Sequence, residues 1–150
     1  MAELWVYHLE RAGLEEVLPE LLEKTRARGW RAVVRVGSPE RLAALDSHLW
    51  TYRDTSFLPH GGPGQGDPAR QPVYLTTEED VPNGAEVLFL TDGVEVPQTG
   101  LEAFARVILI FDGRDEAALS AARAAWRRAR EGGISVSYWK QGAKGWEKAG

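Results

Sequence analysis

Three arginines and a tryptophan on one late segment carry the most specific chemistry in this chain. In DEAALSAARAAWRRAREGG, Arg123, Arg127 and Arg130 are spaced by four and three, with Trp126 three residues from Arg123 and four from Arg130. Residues at those spacings are neighbours on a helix surface. An indole flanked by guanidinium groups can accept a peptide that carries an aromatic side chain and ends in a carboxylate. The ring supplies an apolar wall and the arginines supply charge-assisted hydrogen bonds. A plainer reading stays open beside it: Trp126 belongs to the core, and the arginines solvate a helix end where positive charge suits the macrodipole.

A second group lies in LDSHLWTYRDTSFLPHGGPGQG, Leu45 to Gly66. Trp50 falls one step past a Leu42, Leu45 and Leu49 stripe, and Phe57 and Leu58 precede Pro59 in what reads as loop. Large apolar groups there either cap the core or anchor a protein interface, where tryptophan is enriched. The glycines of GGPGQGDP invite a phosphate reading, but a P-loop needs Gly-Lys-Ser or Gly-Lys-Thr, which is missing. The turn after Leu9, ERAGLEE, lacks the dinucleotide fingerprint, and its acids would repel a pyrophosphate. His8, His48 and His60 are too scattered to suggest a metal site by spacing. His60 reads as a loop histidine bonding backbone, and no G-x-S-x-G elbow accompanies Ser56. Asp92 and Asp112 follow two apolar runs, where α/β proteins bind ligands. Each also precedes glycine, which is turn chemistry. No cofactor and no metal is implied.

The elements that position these groups alternate along the chain. Leu4–Leu9, Trp30–Val36, Pro72–Thr76, Glu86–Thr91 and Arg106–Phe111 read as strands, the last the most apolar, and Ile134–Trp139 alternates as a half-buried edge strand. Leu14, Val17, Leu18, Leu21 and Leu22 recur at helical spacing, with Pro19 expected in the first turn or at a kink. Ser38-Pro39 opens a second helix, and a long third one from about Asp115 to Glu131 stops at Gly132-Gly133. A short helix fits between Thr99 and Ala105, and Thr51–Gln71 is mostly loop. Ala118, Leu119, Ala122, Ala125 and Ala129 give the long helix a small-residue face that can lie close on a sheet. The expected class is α/β, a mainly parallel sheet covered on both faces. The 150 residues suit one domain, with a loosely structured tail from about 140. Without cysteines, signal-peptide pattern or membrane-length apolar run, a cytoplasmic protein is expected. A net charge of -4 argues against broad binding of duplex DNA.

LDSHLW, then SFLPH, then a glycine-bearing loop leading into PVYL, resembles the chi subunit of bacterial DNA polymerase III. The likeness runs more weakly along the whole length, to the late basic helix with its aromatic. The resemblance implies a fold like nucleotide-binding domains without the phosphate loop, and an adaptor of the clamp-loader assembly instead of an enzyme. It implies binding of the acidic, phenylalanine-ended C-terminal tail of single-stranded DNA-binding protein, and of single-stranded DNA only through that partner. Matching the helix ends places the family's basic and aromatic tail-binding positions on Arg123 and Trp126, the latter in place of a tyrosine, with Arg127 and Arg130 alongside. A further basic position of the family falls on Leu119, a departure for which Arg127 is the available substitute. The family's second surface, which joins a psi subunit and so the clamp loader, or an iron-sulfur helicase, matches Trp50 and Phe57, with Leu58 beside them. The alternative is a small nucleotide-binding protein or enzyme using Asp92, Asp112 and the 61–68 loop at the strand ends.

Overall fold

The chain's apolar runs pair in parallel at the centre of one sheet. The computed structural model describes residues 3–10, 13–51, 60–62, 67–79, 81–91, 94, 96, 101–142 and 145–148. In order they form β1 (Glu3–Leu9), α1 (Leu14–Ala27), β2 (Ala32–Arg35), α2 (Pro39–Thr51), β3 (Val73–Thr76), β4 (Val87–Leu90), β5 (Arg106–Asp112), α3 (Glu116–Glu131), β6 (Ser135–Gly142) and β7 (Gly145–Lys148). Single 3-10 turns occupy Pro68–Arg70 and Leu101–Ala103, the second inside the short helix expected there. The sheet order is β3-β2-β4-β5-β1-β6-β7, parallel throughout except that β7 runs antiparallel to β6. This is the α/β class expected from the alternation.

Strands β2, β3 and β4 are buried at every position because both faces of the sheet are covered. On one face, Leu18 and Leu22 of α1 and Leu45 and Leu49 of α2 pack with Val34, Leu75, Phe89 and Ile110. On the other, Ala122, Ala125 and Ala129 of α3 join Leu101 and Phe104 over Val6, Leu88 and Leu109. The connection after β1 leads towards the β2 side of the sheet and the connection after β5 towards β6. Adjacent strands whose chains leave in opposite directions create a crevice at their carboxyl ends.

Pro19 sits well inside α1, neither in the first turn nor at a break. Lacking an N–H, it leaves the Glu15 carbonyl without its intrahelical donor. His48 of α2 supplies the replacement, its Nε2 donating to that carbonyl at 2.6 Å, so one bond repairs α1 and ties the two helices together.

Two expectations need correction. Ile134–Trp139 is not an edge, because β6 lies between β1 and β7. Among the described residues, the stretch from 140, where a loose tail was expected, carries the end of β6 and then β7. Trp146 holds this hairpin down: its ring meets Tyr7 edge-on at 4.9 Å, and it packs against the α1-face core.

Gly113 closes the β5 end over β1, its N–H donating to the Leu9 carbonyl at 2.8 Å. A Cβ here would overlap the His8 ring, which is held between Phe111 and Tyr138 with centroids 5.0 and 5.9 Å away. Gly113→Ala is expected to destabilise the protein by about 1–3 kcal/mol, the usual cost of overpacking. Chemical denaturation checks this; an unchanged midpoint would mean that the ring moves aside freely.

Candidate functional site

Helix α3 begins at Asp115, whose carboxylate accepts from the Ala117 and Ala118 N–H groups at 3.0 and 3.3 Å. It ends at Gly132, with Gly133 at φ 81°, a left-handed conformation that suits glycine. Its alanine face lets the helix lie close on the sheet, so larger neighbours come to its margin. There Leu119 and Trp126 are half-buried, packed against the core beside Ile134, Val136 and Tyr138 of the β6 segment. Arg123, Arg127 and Arg130 are exposed. Arg130 places its guanidinium 5.1 Å from the Trp126 ring centroid. Trp126 therefore leans on the core while a cation faces its ring. Its indole N–H is buried with no acceptor among the described residues.

The floor beside this margin is polar and was not assembled by the sequence reading. His8 of β1 shares a 2.7 Å hydrogen bond between Nδ1 and the Tyr138 hydroxyl. Its Nε2 lies 3.3 Å from Glu10, which also meets Lys140 at 3.3 Å. Arg123 is near enough for its charge to oppose protonation of His8 and to favour ionisation of Tyr138. Burial nonetheless dominates both groups, holding the His8 pKa below and the Tyr138 pKa above their ordinary values. The available signal for Val136 and Tyr138 was the alternation in ISVSYW, which puts them on one side of β6. Nothing local indicated that β1 would be their neighbour.

The other named groups divide. Helix α2 is present with Leu45 and Leu49 buried, but the Trp50 side chain and residues 52–59, with Phe57 and Leu58, lie outside the described residues. His60 is buried, with Nε2 3.2 Å from the Asp46 carbonyl and 3.0 Å from its carboxylate, the backbone-tying role expected of it. At the crevice between β1 and β5 a cavity of about 620 Å³ is lined by Glu15, Arg41, Asp112, Arg114 and Asp115 among others. Its arginines are engaged, Arg41 with Glu15 at 2.6 Å and Arg114 with Asp112 at 2.9 Å. Asp112 also accepts from the Arg114 N–H at 2.9 Å, which is turn chemistry, and Arg114 holds its carboxyl below the usual range. Asp92 and residues 63–66 are outside the described residues. Among the described residues no three potential metal ligands cluster, and no helix is long and apolar enough to cross a membrane.

The depressed His8 pKa fixes a sign. Below the ordinary histidine value of about 6.5, the unfolded chain takes up a proton that the folded site resists. Stability must fall as pH drops through that value, and the contribution is intact above it. The melting temperature of wild type is expected to decline more steeply between neutral and mildly acidic pH than that of His8→Gln; parallel slopes would count against the assignment.

Residues 1–137 match the model of the family described as DNA polymerase III chi subunit, HolC. A probable DNA polymerase III subunit chi from Rickettsia prowazekii (strain Madrid E) is 31% identical over 117 residues, covering 75% of this chain and 71% of the relative. The chain belongs to the chi-subunit family of DNA polymerase III, and chi is an accessory component of that polymerase.

Proposed function

We propose that the chain is a non-catalytic replisome adaptor whose α3 margin binds the acidic C-terminal tail of single-stranded DNA-binding protein. The observation that carries this reading is one continuous margin. There Arg123 and Arg130 lie about one helical turn to either side of Trp126, Arg127 follows it, and Leu119, Val136 and Tyr138 are half-buried against the same core. A terminal phenylalanine would lie on the apolar part with its carboxylate at the guanidinium groups. Leu119, at a position where the family resemblance implies a basic residue, enlarges the apolar wall, and Arg127 offers charge about two turns further along α3. Affinity for one tail is expected at about micromolar. Many tails on one coated strand raise the effective affinity without a new contact, which is how a tether works. Single-stranded DNA is then reached only indirectly.

The second attachment, to the clamp loader through a psi-like subunit or to a helicase, is assigned to Trp50, Phe57 and Leu58 on the strength of the family resemblance. The rival nucleotide-binding or enzymatic reading has the 620 Å³ crevice in its favour. Saturable thermal stabilisation by ATP, NAD or a related ligand would support that rival.

The test is titration of a labelled peptide copying the host tail against wild type, Arg123→Ala and Trp126→Ala. Each substitution is expected to weaken binding at least about tenfold, some 1.4 kcal/mol. Amidation of the terminal phenylalanine should weaken it likewise. Arg123 is exposed, so its variant stays informative if Trp126→Ala disturbs the fold. Absence of binding by folded wild type would refute the reading.

A further inference from the structure

The α1 face of the sheet carries a second aromatic and basic surface that the α3 margin does not use. Trp5 and Tyr7 of β1 stand beside Trp139 of β6 and Trp146 of β7, with Trp5 and Trp139 centroids 5.9 Å apart. Trp5, Trp139 and Trp146, with Trp30, are only half-buried and help to enclose a recess of about 340 Å³. Arg106 lies in it, 3.8 Å from the Trp5 centroid and 5.5 Å from that of Trp30. Arg28 also lies over Trp30, 4.9 Å from its ring centroid, and Lys24 stands exposed on the rim.

The lining is unbalanced in charge. Lys24, Arg28 and Arg106 contribute to it and, among the described residues, no carboxylate does. Glu3, outside the lining, approaches Arg106 at 3.6 Å. Burial and the neighbouring Arg28 both weaken the hold of Arg106 on its proton, as expected where two guanidinium groups share too little negative charge. Arg106 Nε and Trp139 Nε1 are buried with no acceptor among the described residues, so the recess is short of acceptors, not of donors.

Trp139 and Trp146 both lie past residue 137, where the match to the family ends.

We propose that this recess is a docking site for a segment of a partner protein in which an acidic residue neighbours an aromatic one. The acidic side chain meets Arg28 and Arg106, and the aromatic one covers the indoles of Trp139 and Trp146. A nucleic-acid strand fits less well. Strand binding uses a groove of cations that follows the backbone, whereas these cations form one cluster on a chain of net charge -4.

The experiment titrates an acetylated, amidated peptide alternating aspartate with phenylalanine, followed by the indole N–H signals in two-dimensional NMR. Blocking the terminal carboxylate keeps the probe from mimicking the tail proposed for the α3 margin. Saturable shifts are expected for Trp5, Trp139 and Trp146. Binding should weaken at least about tenfold in Arg28→Glu, an exposed substitution that spares the core, and stay unchanged in Arg123→Ala. A peptide alternating lysine with phenylalanine should not compete. The proposal is overturned by an absence of saturable shifts, by shifts confined to Trp126, by insensitivity to Arg28→Glu, or by an oligothymidylate strand that moves the same indoles more tightly than the peptide.

Discussion

The parallel pairing of β1 with β5 is the constraint on which the other features rest. Its register runs without interruption from Glu3 opposite Arg106 to Leu9 opposite Asp112. Because the chain leaves these two strands in opposite directions, α1 and α3 are sent to opposite faces of the sheet. The α3 face then receives Arg123 and Trp126, and the α1 face receives Trp5 and Arg106. The same pairing brings His8 against Phe111 and beneath Gly113, where no other residue has room. A slip of one residue along β1 would exchange the two faces of that strand and dismantle both surfaces together.

Helix α3 illustrates how small residues can serve a functional surface they do not touch. Ala122, Ala125 and Ala129 add little buried apolar area, but they bring the helix axis close to the sheet. Close approach makes the β6 side chains Val136 and Tyr138 neighbours of the helix margin instead of a layer beneath it. Larger residues on that face would lift α3 and separate the arginines from the apolar ground beside Trp126. The cation over the indole contributes only about 0.5–1 kcal/mol at an exposed site, so packing sets the arrangement and the charge tunes it.

Local pattern carried the fold class, the strand cores and the helix α3 nearly to its ends, because each depends on periodicity within one segment. The basic stripe was legible for the same reason: helical spacing fixes which residues are neighbours. What escaped depends on distant parts of the chain. Tyr138 meets His8 across 130 residues of sequence, and the carbonyl freed by Pro19 finds its donor 33 residues on. The ISVSYW alternation correctly indicated one half-buried strand, but alternation cannot distinguish an edge from the neighbour of an edge. Strand β7 was hidden in QGAKGWEK by lysines and glycines, and its Trp146 reaches Tyr7 on a strand at the opposite end of the chain.

The crevice at the β1 and β5 ends keeps a cavity whose own side chains engage the groups a phosphate would use. Helix N-termini receive phosphates there when their N–H groups are free and their surroundings neutral or positive. Here Asp115 uses the first free N–H groups of α3 for its own carboxylate. Glu15 and Glu16 sit in the first turn of α1, where they offset the positive end of its dipole. The arginines that could recruit an anion are already matched, Arg41 to Glu15 and Arg114 to Asp112. Each of these carboxylates stabilises a helix start or a turn, so the features that secure the fold also occupy the positions a nucleotide would need. Among the described residues, less compensated positive charge lies at the α3 margin and around Arg106. Those places are flanked by half-buried aromatics, which suits the recognition of side chains and termini of other proteins better than the recognition of phosphates.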